Sequence, residues 1–439
     1  MKKILITLIL IIGTAHLSAQ ELTVSAQLKP RFEARHGFGT LASPDDEAAL
    51  FVSQRTRLSV DFTTEKYEVY MDIQNVGVWG DVSTLSKSDK NGTSFHQAYG
   101  VYHFSSKFAI KLGRQEIAYD DQRIFGAVDW AQQARSHDAL LFKIKPGEKS
   151  KLDIGFALNA NGETNFKEDY AINQYKSLQY AWFHTNFTEN TGLSLLFLNN
   201  GMPYNKVTGT DPGGAPVTEQ KTTYSQTIGG RFTYKRNRFN FNAATYFQGG
   251  ETPWSGSTGT QDLSAYYVAA DASYKVLDVL KLGAGFELLS GNDQDGDITK
   301  NNAFNPFYGT NHKFNGWMDY FYVGNHANNV GLVDIFTPIV YSKDKLQLRL
   351  IPHFFSANGT ILEPGFQKAD SYLGTEIDFD VKYELVKNVN IFAGYSHMFA
   401  TESMEIIKGG SKDETNNWGW VMITFKPTFF KKKFDEPKG

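Results

Sequence analysis

Some eighteen segments of this chain alternate polar and apolar residues with a period of two, and the gaps between them are alternately short and long. In Gln27–Arg35 the odd positions are polar and the even ones apolar or proline, and in 53–62 Arg55, Arg57, Ser59 and Asp61 oppose Thr56, Leu58, Val60 and Phe62. Glu68, Tyr70, Asp72 and Gln74 oppose Val69, Met71 and Ile73, and the pattern returns at 152–159 and 346–350. Successive side chains of a strand point to opposite faces, so each segment has one apolar and one polar face. Runs of this kind suit strands between lipid and a wet lumen. The short gaps hold two to four residues, such as 63–65, 105–106 and 236–237. The long ones cover 36–49, 79–93, 115–134, 162–174, 203–221, 250–261, 292–326, 357–370 and 400–415. Tight turns at one rim and long loops at the other predict an all-β, antiparallel up-and-down transmembrane barrel of about 18 strands, with both chain ends on the short-turn, periplasmic side.

The rest of the chain agrees with that class. Residues 1–19 carry Lys2 and Lys3, an apolar run from Ile4 to Ile12 and a small residue at Ala19, the pattern of a signal peptide. No later stretch approaches the roughly 18 consecutive apolar residues of a membrane-spanning helix. The expected organisation is therefore a signal peptide at 1–19, one barrel at 20–427 and a short basic periplasmic tail at 428–439. The destination is the outer membrane, with its lipid as partner. A propeller should show a repeat of roughly 40–50 residues, and none is visible. Tyr99, Tyr102, Trp79, Tyr180, Trp182, Tyr266, Tyr267, Tyr395, Trp418 and Trp420 lie near strand ends and fit interfacial girdles. Without the leader, 42 basic residues face 47 acidic ones, a balance too mild to imply a nucleic-acid or anionic-lipid partner, and no nucleic acid is expected. There is no cysteine, hence no disulfide framework.

Arginine is scarce, 11 against 33 lysines, yet seven of the 11 precede residue 136. By parity Arg31, Arg35, Arg55, Arg57 and Arg135 share the lumen face, as do Arg231 and Arg349 further on. Guanidinium forks bind carboxylates bidentately, so an inward group of them could select an anion in a pore. Alternatively Glu33, Asp61, Glu68 and Asp72 on the same face neutralise them in cross-strand ladders. Lys29, Lys111, Lys143, Lys145, Lys235, Lys275 and Lys281 add positive charge to that face.

The densest stretch is 113–138, GRQEIAYDDQRIFGAVDWAQQARSHD. With QRTRLSVDF before it and ALLFKIK after, it resembles the alginate export family of outer-membrane porins. The matching residues are Gly113-Arg114-Gln115, Tyr119, Asp121, Arg123, Gly126, Asp129-Trp130, Arg135 and Asp138. The resemblance implies 18 strands and a constriction lined by Arg31, Arg35, Arg55, Arg57, Arg114, Arg123, Asp129, Arg135, Arg231 and Arg349, through which an anionic polysaccharide such as alginate passes. It also implies that 115–134 folds inward, with Glu116, Asp120, Asp121 and Asp129 meeting strands one to three. The alternative is a general, neutral-sugar or small-anion porin; periplasmic partners and the direction of transport stay open. Asp293, Asp295 and Asp297 alternate in an outer loop and form a weak Ca²⁺ candidate, although Ile298 occupies the glycine place of an EF-hand loop. No other cofactor is indicated. An outer-membrane hydrolase is a remote alternative: Ser136, His137 and Asp138 are adjacent, but strand neighbours point to opposite faces and cannot converge as a triad.

Overall fold

The computed structural model describes residues 20–88, 92–171, 174–254, 257–326 and 329–434; the leader expected at 1–19 and residues 435–439 lie outside them. The strands are β1 (Gln20–His36), β2 (Ala49–Thr63), β3 (Tyr67–Val78), β4 (Thr93–Ser105), β5 (Phe108–Gln115), β6 (His137–Gly147), β7 (Ser150–Leu158), β8 (Ser177–Asn186), β9 (Thr191–Thr210), β10 (Pro216–Arg236), β11 (Phe239–Pro253), β12 (Thr260–Lys275), β13 (Leu280–Leu289), β14 (Lys300–Asn301), β15 (Leu332–Phe336), β16 (Ile339–Lys343), β17 (Leu346–Ser356), β18 (Tyr372–Val386), β19 (Val389–Ala400), β20 (Asn416–Phe425) and β21 (Thr428–Phe434). Each wall strand pairs antiparallel with its sequence neighbour, and β1 closes the ring by pairing β2 on one side and β20 with β21 on the other.

Two proline breaks and one loop bridge reconcile this count with 18 spanning strands. The wall strand that follows the long gap 292–326 divides into β15 and β16 at Thr337-Pro338, because proline has no N–H for the ladder. The last strand is likewise interrupted at Lys426-Pro427, and the ladder to β1 shifts register at Val24/Ser25. The two-residue β14 lies in an outer loop and pairs parallel with β12. Residues 428–434, expected to belong to a short basic periplasmic tail at 428–439, continue the wall: Thr23 faces Lys431 in the register, and Glu21 pairs with Lys431 at 2.8 Å.

Short turns close the periplasmic rim. Asn237, Asp344 and Asn388 take φ of 55°, 50° and 69° there, the left-handed conformation that tight hairpins require and that Asn and Asp tolerate. At the outer rim the expected loop 203–221 is largely a hairpin. The β9–β10 ladder runs on to Thr210 opposite Pro216, and Asp211 Oδ1 accepts the Gly213 and Ala215 N–H groups at the tip. Continuing the ladder keeps backbone groups paired beyond the membrane.

The wall is apolar outside and polar inside. Leu58, Met71, Leu112, Phe247, Phe354 and Val421 are exposed, whereas Lys29, Arg31, Glu33, Arg55, Arg57 and Asp72 are buried. Trp79, Tyr102, Tyr266 and Tyr395 stand on the exposed face as girdle residues should. Trp418, Trp420, Tyr180 and Tyr267 do not: they are buried. Trp418 and Trp420 alternate with Gly419 and the outward Val421, which turns both indoles into the lumen.

Candidate functional site

The segment 116–136, between β5 and β6, folds into the barrel and crosses it from wall to wall. Near its start Glu116 meets His96 of β4 at 2.9 Å. Tyr119 donates to Asp153 of β7 at 2.9 Å and stacks on Trp182 of β8 at 4.5 Å. Asp120 accepts from Trp182 Nε1 (2.9 Å) and Ser194 Oγ (2.5 Å). Burial raises the Asp120 carboxyl above its ordinary value, with the Ser194 and Trp182 bonds opposing the rise. Asp121 then pairs with Arg231 of β10 at 3.1 Å, and Arg123 with Glu287 of β13 at 3.1 Å. The segment therefore spans far more of the wall than strands one to three. Of its four carboxylates only Asp129 reaches β1 and β2.

That return end is gripped by the cations of β1 and β2. Arg55 Nη2 lies 2.6 Å from Asp129 Oδ1, and Lys29 Nζ lies 3.8 Å from Oδ2. Partial burial works against ionising Asp129, but Lys29 and Arg55 outweigh it and hold the carboxyl below its ordinary value. Main-chain carbonyls take the rest: Lys29 donates to Asp129 O (2.5 Å), Arg31 to Trp130 O (2.7 Å), Arg55 to Gln132 O (3.2 Å) and Gln74 to Gln133 O (3.0 Å). The Arg31 guanidinium sits 4.0 Å from the centre of the Trp130 ring, whose neighbours include Trp418 and Trp420.

A second loop, 290–331, also turns inward, which its length alone did not indicate. Gly126 N–H donates to Tyr308 O (2.8 Å), Thr310 N–H to Gln122 O (2.9 Å), and Arg135 to Gly309 O (3.1 Å). The approach is close enough to require glycine. A Cβ on Gly126 would stand 2.2 Å from Thr310 Oγ1, and one on Gly309 2.2 Å from Arg123 O. The second loop is bonded to the far wall by Trp317 and Met318 N–H, donating to Asp378 (3.2 Å) and Glu376 (2.8 Å), and by Asn315 to Glu287 (2.9 Å). Its Met318, Tyr320 and Phe321 join a buried apolar cluster with Phe355 and Leu373. Val128 and Ala134 take φ of 53°, a left-handed conformation costing about 1–3 kcal/mol each, and costly backbone of this kind persists only where its surroundings over-determine it.

The expected site residues divide accordingly. Arg31 and Arg35 share Glu33 (2.8 and 2.7 Å), Arg57 donates to Gln74 (2.9 Å), and Arg349 grips Asp380 with two 2.7 Å bonds. Arg135 belongs to the inward segment and not to a wall strand. Arg114 has the parity of the outward Leu112 and pairs with Asp138 at 2.9 Å on the outer face, so it does not line the lumen. His137 is buried inward while Asp138 is exposed, which separates that trio. Asp293, Asp295 and Asp297 serve local contacts with Thr360, Lys368 and Thr299. Among the described residues no group of three or more His, Asp or Glu is placed to hold a metal ion.

Several cavities open on the periplasmic side of the loops; one of about 270 Å³ holds Asp121, Asp271 and Glu287 with Arg231 and Lys313, and two larger ones are rich in cations. The first of these two, about 630 Å³, is lined by Lys29, Lys313, Arg349, Lys382 and Lys426 with Asp129 and Asp380, and by Trp130, Trp317, Trp418 and Trp420. The second, about 490 Å³, is lined by Lys107, Lys111, Lys143, Lys145 and Lys151 with Glu68 and Asp153. Lysines, a group the arginine pattern left secondary, thus supply nine of these ten cations.

A closed strand wall, apolar outside, charged inside and narrowed by inward loops, defines an outer-membrane porin. The chain belongs to the alginate export family, which matches residues 20–416. Among solved structures it is similar to OccAB4 of Acinetobacter baumannii (12% identity, TM-score 0.61, covering 94% of this chain and 99% of that one). It is also similar to a BenF-like porin of Pseudomonas fluorescens Pf-5 (12%, 0.59, 93% and 99%) and to OpdO of Pseudomonas aeruginosa (12%, 0.58, 93% and 98%). No curated protein matches the chain.

Proposed function

We propose that this outer-membrane channel passes an acidic polysaccharide, or oligosaccharides cut from one, of the alginate type. The observation that carries the reading is the lining of the two larger periplasmic-side cavities, with ten cationic side chains against four carboxylates, and four indoles in the larger of them. Ammonium groups attract a chain carrying one carboxylate per sugar, and as mobile point charges they release it as readily as they hold it. Aromatic rings offer apolar faces to pyranose rings. In this reading the inward arginines have a second duty: Arg55, Arg123, Arg231 and Arg349 anchor the loops and wall through ion pairs, Lys29 and Lys313 help to hold the loop, and exposed lysines such as Lys145, Lys382 and Lys426 face the transit path.

That same pairing favours a second reading, a porin for small anions or neutral sugars in which charge serves structure alone. Planar-bilayer recording separates the two. The first expects a reversal potential on the anion side in a KCl gradient, and block by oligomannuronate at least tenfold stronger than by a neutral mannan oligosaccharide of equal length. Cation selectivity, or equal block by both sugars, refutes it.

A further inference from the structure

On the extracellular side of the two loops lies a separate cavity of about 580 Å³. It falls within the roughly 300–1,000 Å³ range of small-ligand sites. Its floor is the point where Arg135 meets Gly309, and its walls come from β6, β9, β10 and β11. Among the described lining residues there is one cation, Arg135, and no carboxylate, in contrast to the mixed charge of the periplasmic-side cavities. Three aromatic groups meet there: Tyr308 stands edge-on to His137 at 5.4 Å and to Tyr175 at 5.3 Å, and those two stack on each other at 5.8 Å.

Two polar side chains in this wall are more than nine-tenths buried, firmly oriented and incompletely used. Asn200 is held by the Tyr308 hydroxyl, which donates to Oδ1 at 2.5 Å, and its Nδ2 has no partner among the described residues. His137 is held by the Tyr175 hydroxyl at Nδ1, 2.9 Å away, and its Nε2 is likewise without a partner. Unpaired buried polar atoms are costly and point to a missing partner. An amide donor, an imidazole nitrogen, one guanidinium and aromatic walls are together what a carboxylated pyranose presents groups for.

We propose that this outer vestibule is a binding subsite for a single acidic sugar unit, a hexuronate residue, loaded from outside the cell. The proposal rests on the reading of the channel as a path for anionic saccharides and adds to it a place and a side. The test uses the full chain in nanodiscs and planar bilayers with trimannuronate as probe and mannotriose as its neutral counterpart. Asn200→Asp keeps an oxygen facing Tyr308 but turns the donor into a repelling carboxylate, and Met202→Trp fills the cavity. Each variant is expected to raise the trimannuronate Kd at least tenfold, and block in the unmodified channel is expected to be stronger from the extracellular chamber. Changes below twofold in both variants, equal affinity for mannotriose, or binding satisfied by water only, seen as an unchanged cavity in crystals soaked with trimannuronate, overturn it. Trimannuronate block from the periplasmic chamber alone refutes the subsite and leaves the channel reading standing; absence of block from either side refutes both.

Discussion

Replacing Asp129 with alanine withdraws the one loop carboxylate that meets the cations of β1 and β2. Arg55 has no exposed side-chain surface, while Asp129 is 56% exposed, so the pair is buried at one end and wet at the other. Breaking a fully buried pair costs about 3–5 kcal/mol, an exposed one up to about 1, and the mixed geometry places this one near 2–3 kcal/mol after allowance for screening. Arg55 keeps its bonds to Gln27 Oε1 and Gln132 O, and Lys29 keeps the Asp129 carbonyl, which holds the cost below the upper limit. The left-handed Val128 and Ala134 act in the same direction, because releasing the loop relieves them. At 1.4 kcal/mol per tenfold, the population with this end detached rises roughly 30- to 150-fold. Single-channel recording reads that population as time spent in a higher-conductance substate, and Asp129→Asn should fall between the two. If Asp129→Ala and Arg55→Ala both leave the substate occupancy unchanged, the clamp described here does not hold the constriction.

Because Lys29 and Arg55 keep the Asp129 carboxyl below its ordinary value of 3.8, its contribution is complete above that pH and is lost as pH falls through the lower folded value; substate openings should increase only in that acid window and lose this dependence in Asp129→Asn. Lys111→Glu, Lys143→Glu and Lys145→Glu together should move the reversal potential toward cation selectivity, whereas Arg114→Ala, on the outer face, should leave it in place. The chain has no cysteine, so Gly213→Cys should react with a bulky maleimide on intact cells and Glu148→Cys only after the outer membrane is opened. Deleting 116–133 should give an assembled barrel of higher conductance and weaker ion selectivity, measured in the same bilayers; unchanged conductance would mean the segment does not narrow the lumen.

Strand number and the inward facing of Arg31, Arg35, Arg55 and Arg57 were legible because a period of two leaves no freedom once one face meets lipid. The same rule applied to Arg114 through Leu112 puts it outside, and applied to Trp418 and Trp420 through Val421 puts them inside; a family motif and a girdle expectation had each overridden parity. Pro338 and Pro427 were visible as letters but do not announce that pairing resumes beyond them. The missed loop did leave a trace. Residues 303–322 are crowded with Phe, Tyr, Trp and Met, an excess that a water-exposed loop has no reason to carry and that a loop packed inside a barrel needs. The pairing of Asp121 with Arg231, 110 positions away, has no such signature, since either residue alone reads as an ordinary lumen charge.

The grip on the inward loop falls largely on its main-chain carbonyls: those of Asp129, Trp130, Gln132 and Gln133 are held from the wall and that of Asp121 by Lys313 of the second loop, while Arg135 in turn holds the Gly309 carbonyl of that second loop. A carbonyl is present whatever residue bears it. Exchange of the side chains that face the solute should therefore leave the fastening in place, so that what the lumen admits can change on a frame that does not.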